Sequence, residues 1–165
     1  ITAQLEGGKR RRTDRLNLIQ AQEKNSNLKE AKYYQEFFGR ITKIKEETID
    51  LLKVLQAEGG DIVGYGASHS TTTFTYFFQC APFIEYIVDD NPAKQGRFSP
   101  GHHIPVLSPS KIYEEAPKYV LILAWQHSDA ILQKHVKFLE QGGCFIVPLP
   151  TLTVIGRNSY EKEKQ

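Results

Sequence analysis

The chain has 165 residues, 40% hydrophobic and 24% charged, which is the size and composition of one ordinary globular domain. Its 21 basic and 19 acidic residues leave a net charge of +2, which supplies no field for coating nucleic acid or an anionic membrane. No apolar run approaches the roughly 20 residues of a bilayer span and the opening residues are too polar for a secretory signal, so the chain reads as soluble and cytoplasmic.

Residues 1–27 hold the Gly7-Gly8 pair, a basic run from Lys9 to Arg12 and few apolar groups at helical spacing, so they read as a linker or a stray strand. From Leu28 onward Ala31, Tyr34, Phe37, Phe38, Ile41, Ile44, Thr48, Leu51, Leu52 and Leu55 recur at steps of three and four. That is the period of one helical face and predicts a long amphipathic helix over 28–58, closed by Gly59-Gly60. β-Rich runs then alternate with helical stretches: a strand at 61–66, a helix at 70–79, a second strand at 83–88 ending in Asp89-Asp90-Asn91-Pro92, and a polar loop at 94–101. A third short strand at 103–106, a brief helix at 110–115, an apolar fourth strand at 119–125, a helix at 128–140 and a fifth strand at 144–147 follow. Alternation of this kind implies βαβ crossovers, and the unbroken apolar run Tyr119 to Trp125 suits a strand buried on both faces. The expectation is an α/β, Rossmann-like domain: a five-stranded parallel sheet in the order 3-2-1-4-5, helices on both faces and a long N-terminal helix. It covers 28–155, and 156–165 is read as a flexible tail.

Cys80 and Cys144 lie far apart in apolar contexts, which reads as buried free thiols and excludes a four-cysteine zinc site. The adjacent His102 and His103 lack a third ligand at metal-binding spacing. Gly64-Tyr65-Gly66-Ala67-Ser68 follows the first strand and precedes a helix, where a doubly wound sheet offers backbone amides and a helix N-terminus to an anion. The full G-x-G-x-x-G fingerprint is incomplete, since His69 stands three residues after Gly66, and the glycines serve equally for a tight turn. Ser68, Ser70, Thr71 and Thr72 add hydroxyls for phosphate oxygens or for capping. Asp89 and Asp90, at the end of the second strand, stand where a carboxylate accepts ribose hydroxyls, or where it only closes a turn. Trp125, Gln126 and His127 end the fourth strand beside the switch point of the sheet. No catalytic constellation stands out. The residues alone describe a binding domain.

At GYGAS, VDDNPAKQGRFSPGHHIPV and LAWQH the sequence resembles the C-terminal domain of sugar-nucleotide C-methyltransferases, over most of residues 30–150. The resemblance implies a parent enzyme with a zinc-binding region, a central S-adenosylmethionine domain carrying the acid-base residues, and this domain helping to hold a nucleotide-linked keto-deoxy sugar. Gly7-Gly8 is similar to a glycine pair near the last strand of the preceding methyltransferase domain, and with Ile1 first and no methionine anywhere the chain reads as part of a longer protein. The substrate-binding set implied is Gly64, Tyr65, Gly66, Ala67, Ser68, His69, Ser70, Asp89, Lys94, Trp125, Gln126 and His127, with no catalytic or metal residue and no cofactor in this stretch. The family pattern has Ala-Lys where His69-Ser70 stands, and asparagine at the positions of Gln126 and Tyr76. The partners expected are the nucleotide-sugar and the preceding domain, with neither nucleic acid nor membrane. Two other readings stay open: a stand-alone Rossmann-like module for a dinucleotide or a CoA-type ligand, without transfer chemistry, and an interaction domain docking through its long helix.

Overall fold

A computed structural model describes residues 3–163. Contacts divide the chain into two compact units, 1–41 and 42–165.

In the first unit the expected linker is instead a helix, α1 (Asp14–Asn25). Thr13 caps it, its side chain accepting from the Leu16 N–H, and Asp14 and Lys24 sit at the ends that favour their charges. Capping and helix-forming residues thus suffice where no apolar period exists: α1 buries no residue. Helix α2 (Ala31–Ala57) begins in this unit and ends in the next. Its buried positions are Thr48, Leu52 and Leu55, spaced four and three apart, all in the second unit. Gly60 N–H closes the helix on the Leu55 carbonyl at 3.0 Å.

The second unit is mixed α/β around a seven-stranded, mostly parallel sheet. Its elements are β1 (Ile62–Tyr65), α3 (His69–Phe78), β2 (Ile87–Val88), β3 (Arg97–Phe98), β4 (Pro105–Leu107), α4 (Lys111–Glu114), β5 (Tyr119–Ile122), α5 (Ser128–Lys134), α6 (Val136–Glu140), β6 (Cys144–Val147), β7 (Thr153–Ile155) and α7 (Arg157–Glu163). The strands lie in the order β3-β4-β2-β1-β5-β6-β7. The inner five run parallel, and β3 and β7 add antiparallel edges that the expectation of five strands left out. Two exposed residues cannot show as an apolar run, which is why β3 is invisible in sequence.

Every residue of β1 and β5 is buried, as their unbroken apolar character requires. One face carries Val63, Tyr65, Val120, Ile122 and Phe145, packed with Ile112 of α4, Ile131 and Leu132 of α5, and Phe138 and Leu139 of α6. The alternate residues Ile62, Ile87, Leu121 and Ile146 are equally buried, so both faces are covered. Lys45 of α2 lies 5.3 Å from the centre of the Phe77 ring on α3.

Three further expectations are corrected. The helix over 128–140 is broken at His135, which separates α5 from α6 with φ −114°. The tail forms α7, whose Tyr160 packs against the core; residues 164–165 lie outside the described ones. Of the two free thiols, Cys80 is buried, with burial pushing its pKa up to about 12, but Cys144 is partly exposed. Among the described residues no helix is long and apolar enough to cross a membrane, and no three His, Cys, Asp or Glu side chains gather as a metal site.

Candidate functional site

Parallel strands leave their C-terminal ends, and the turns that follow, on one rim of the sheet. Two hollows open there and share Ser68 and Lys94 in their walls. The first, of about 330 Å³, lies over the start of α3 and the edge strand β3, with His69, Thr72, Arg97 and Phe98 around it. The second, of about 380 Å³, lies between the ends of β1, β2 and β5, with Tyr65, Gly66, Asp90, His127 and Lys134 around it. Each volume is at the lower end for small-molecule sites.

The turn between the hollows is built by Gly66. Its φ is +100°, a conformation that disfavours any Cβ, and a Cβ there would come 2.5 Å from that of Ala124. Beyond it the Thr71 hydroxyl donates to the Gly66 carbonyl at 2.6 Å and accepts from the Ser68 N–H at 3.0 Å. Ser68 and Ser70 hydroxyls meet at 2.8 Å. These bonds fix the start of α3, whose first residues face the first hollow.

The two aspartates after β2 have different tasks. Asp89 is buried and spent on the fold: Oδ2 accepts from Ala67 N–H at 2.7 Å and from the Lys94 ammonium at 3.1 Å, and Oδ1 accepts from Asn91 N–H at 2.9 Å. It ties the turn after β1 to the loop after β2, and both of its oxygens already accept from the protein while it lines the second hollow. Asp90 is half exposed in the second hollow. Its Oδ1 accepts from Lys134 at 2.5 Å and from the Tyr65 hydroxyl at 3.0 Å.

Behind Asp90 the bonds continue inward. Burial first, and the Asp90 partner second, push the Tyr65 phenol well above its ordinary value, so it stays protonated and donates to the carboxylate. Its oxygen then accepts from His135 Nε2–H at 2.9 Å, and His135 Nδ1 accepts from the Tyr113 hydroxyl at 2.8 Å. That chain assigns the neutral Nε2–H tautomer. Burial, with the Lys134 charge second, accordingly holds His135 below its ordinary pKa. Burial raises the Asp90 pKa, but the Lys134 and Tyr65 hydrogen bonds and the Lys134 charge outweigh it and leave the carboxylate below its usual range.

Of the residues expected at the site, Ala67, Ser68, His69 and Lys94 line the first hollow, and Tyr65, Gly66, Ser68, Asp89, Lys94 and His127 line the second. Gly64, Ser70, Trp125 and Gln126 line neither. A Cβ on Gly64 would strike Leu123 at 2.8 Å, so this glycine serves packing against the sheet face. Asp90, weighed in the sequence for a ribose contact, and Arg97, a candidate phosphate contact of the loop after the second strand, join the walls, as do Phe98 and Lys134, which sequence reasoning did not single out. Phe98 sits in a stretch that reads as a polar loop, and Lys134 meets Asp90 across 44 positions, so neither carried a local signal.

The family of C-methyltransferase C-terminal domains matches residues 1–150. The chain is also similar to the C-methyltransferase NovU of Streptomyces niveus, 33% identical over 142 residues, which is 84% of this chain. It spans about a third of that relative's length, 33%.

Proposed function

Because the chain belongs to the family of C-methyltransferase C-terminal domains, we propose that it is the substrate-binding domain of an S-adenosylmethionine-dependent C-methyltransferase acting on a nucleotide-linked keto-deoxy sugar. The observation that carries this reading is the pair of hollows meeting at Ser68 and Lys94, with cations, hydroxyls, an aromatic ring and a carboxylate around them at the C-terminal rim of a parallel sheet.

The chemistry would begin at the carbon next to the ketone, whose proton is acidic because the conjugate enolate places its charge on oxygen. A base takes that proton, and the enolate carbon accepts a methyl group. S-adenosylmethionine would supply the methyl. The residues here bind and orient. The cations hold phosphate charge, the hydroxyls of the α3 turn accept or donate to phosphate oxygens, and Asp90 accepts from hydroxyls. No His, Cys, Asp or Glu cluster among the described residues fits a zinc ion, so no step runs through one.

Calorimetry of the chain with thymidine- and uridine-diphosphate sugars against NAD and CoA tests the reading. Binding of a diphosphate-sugar is the expected outcome, with affinity lost on replacing Lys94 by alanine. Preferential binding of NAD or CoA would replace it with a dinucleotide or CoA module, and methyl transfer from radiolabelled S-adenosylmethionine by this chain alone would contradict its purely binding role.

A further inference from the structure

The two hollows differ in the sign of what surrounds them. The second holds two carboxylates, Asp89 paired with Lys94 and Asp90 with Lys134 at 3.1 Å or less, so that its charges cancel; no acid lines the first, where Lys94 is shared and already tied to Asp89 while Arg97 has no ion pair among the described residues. A phosphate is favoured at the first and meets carboxylates at the second. Arg97 Nε donates to the Ala93 carbonyl at 2.7 Å, which anchors the guanidinium and leaves its two terminal nitrogens for an anion. Phe98 exposes 64% of its surface, a large apolar ring on a two-residue edge strand that lines the same hollow as those cations. Cations next to an uncovered aromatic face suit a phosphate joined to a flat base.

The second hollow offers the opposite chemistry. Asp90 Oδ1 is filled by Lys134 and Tyr65, and its other oxygen has no hydrogen-bond partner among the described residues. A carboxylate kept ionised, clamped on one oxygen and open on the other, accepts from neutral hydroxyls. Asp89, one residue earlier, is less open to a ligand, since its bonds to Ala67, Asn91 and Lys94 engage both of its oxygens and its side chain is 11% exposed.

We propose that the hollows take opposite ends of one nucleotide-sugar: the base on Phe98 and the diphosphate on Arg97 and Lys94 in the first, and the sugar hydroxyls on Asp90 in the second. This rests on the function proposed above and gives that ligand a direction. Ser68 and Lys94, shared by both walls, mark where the ligand crosses.

The test is calorimetry with three probes, inorganic pyrophosphate, thymidine diphosphate and thymidine-diphosphate 4-keto-6-deoxyglucose, on wild type, Phe98→Ala and Asp90→Asn. Phe98 is exposed and asparagine is isosteric with aspartate, and a thermal melt of each variant checks that the fold is kept. Phe98→Ala is expected to weaken both thymidine ligands about tenfold and leave pyrophosphate unchanged. Asp90→Asn is expected to weaken the sugar ligand alone, towards the affinity of thymidine diphosphate. Equal loss of all probes in either variant, or loss of thymidine diphosphate in Asp90→Asn, overturns the placement while the binding function stands. Failure of wild type to bind either thymidine ligand overturns both.

Discussion

Helix α1 and the sheet are stabilised in different ways. Not one residue of α1 is buried, and Leu18 exposes 65% of its surface, so this helix rests on its Thr13 cap, its end charges and the propensity of its residues. The strands β1 and β5 rest on burial of every side chain. Helix α2 takes part in both regimes: Phe37 is 52% exposed near its start, and Leu52 is fully buried near its end. Helical form is therefore no measure of what an element contributes to stability. The same periodic apolar pattern marks residues with very different energetic weight.

That contrast is sharpest at Gly66. A valine there combines a backbone conformation costing ~1–2 kcal/mol outside glycine with overpacking against Ala124 costing ~1–3 kcal/mol. Urea unfolding is expected to show a loss of about 4 kcal/mol, so binding data on Gly66→Val would report the fold as much as the site. Next, Leu52→Ala is expected to cost about 3 kcal/mol by the same measurement, as a large-to-small change in a closed core. A small effect there would erase the distinction between the two ends of α2.

His135→Gln should come third, at about 2 kcal/mol, since it leaves the Tyr65 and Tyr113 hydroxyls short of a partner. It also has a signature in pH. The folded protein holds His135 below its ordinary 6.5, so around that pH the unfolded chain binds the extra proton. The stabilisation is whole above 6.5 and is lost as pH falls through the depressed value. Wild-type melting temperature is expected to drop between pH 7.5 and 5.5, and the variant should flatten that drop. Smallest of all, Phe37→Ala is expected to stay within about 0.5 kcal/mol of wild type. A cost as large as that of Leu52→Ala would show that the exposed half of α2 is not energetically idle.

What the sequence disclosed follows the same division. Parallel strands buried on both faces announce themselves as apolar runs, and β1, β5 and β6 fall where Ile62, Tyr119 and Cys144 begin theirs. The edge strands do not: Arg97-Phe98 is exposed at both residues, and Thr153–Ile155 is too short to show a period. Helix α1 was missed because caps leave a weaker trace than apolar spacing. At the site, the turn after β1 was legible from its glycines, but the division between Asp89 and Asp90 was not, since both occupy one dipeptide and differ only in which partners the fold brings. Tyr65 and His135 meet across 70 positions of sequence, a separation that no local spacing encodes.

The short strand β3 has a consequence for the company this protein keeps. A sheet rim with unpaired amides is a template on which another chain can crystallise a strand of its own, the first step of edge-to-edge aggregation. Here that rim is two residues long, runs antiparallel to its neighbour and carries a guanidinium, so an intruder finds almost no ladder to extend. The same two residues form a wall of the first hollow. Colloidal safety and ligand contact are thus inscribed in one dipeptide, and a variant that lengthens or neutralises this rim in pursuit of tighter binding would be expected to surrender solubility along with it.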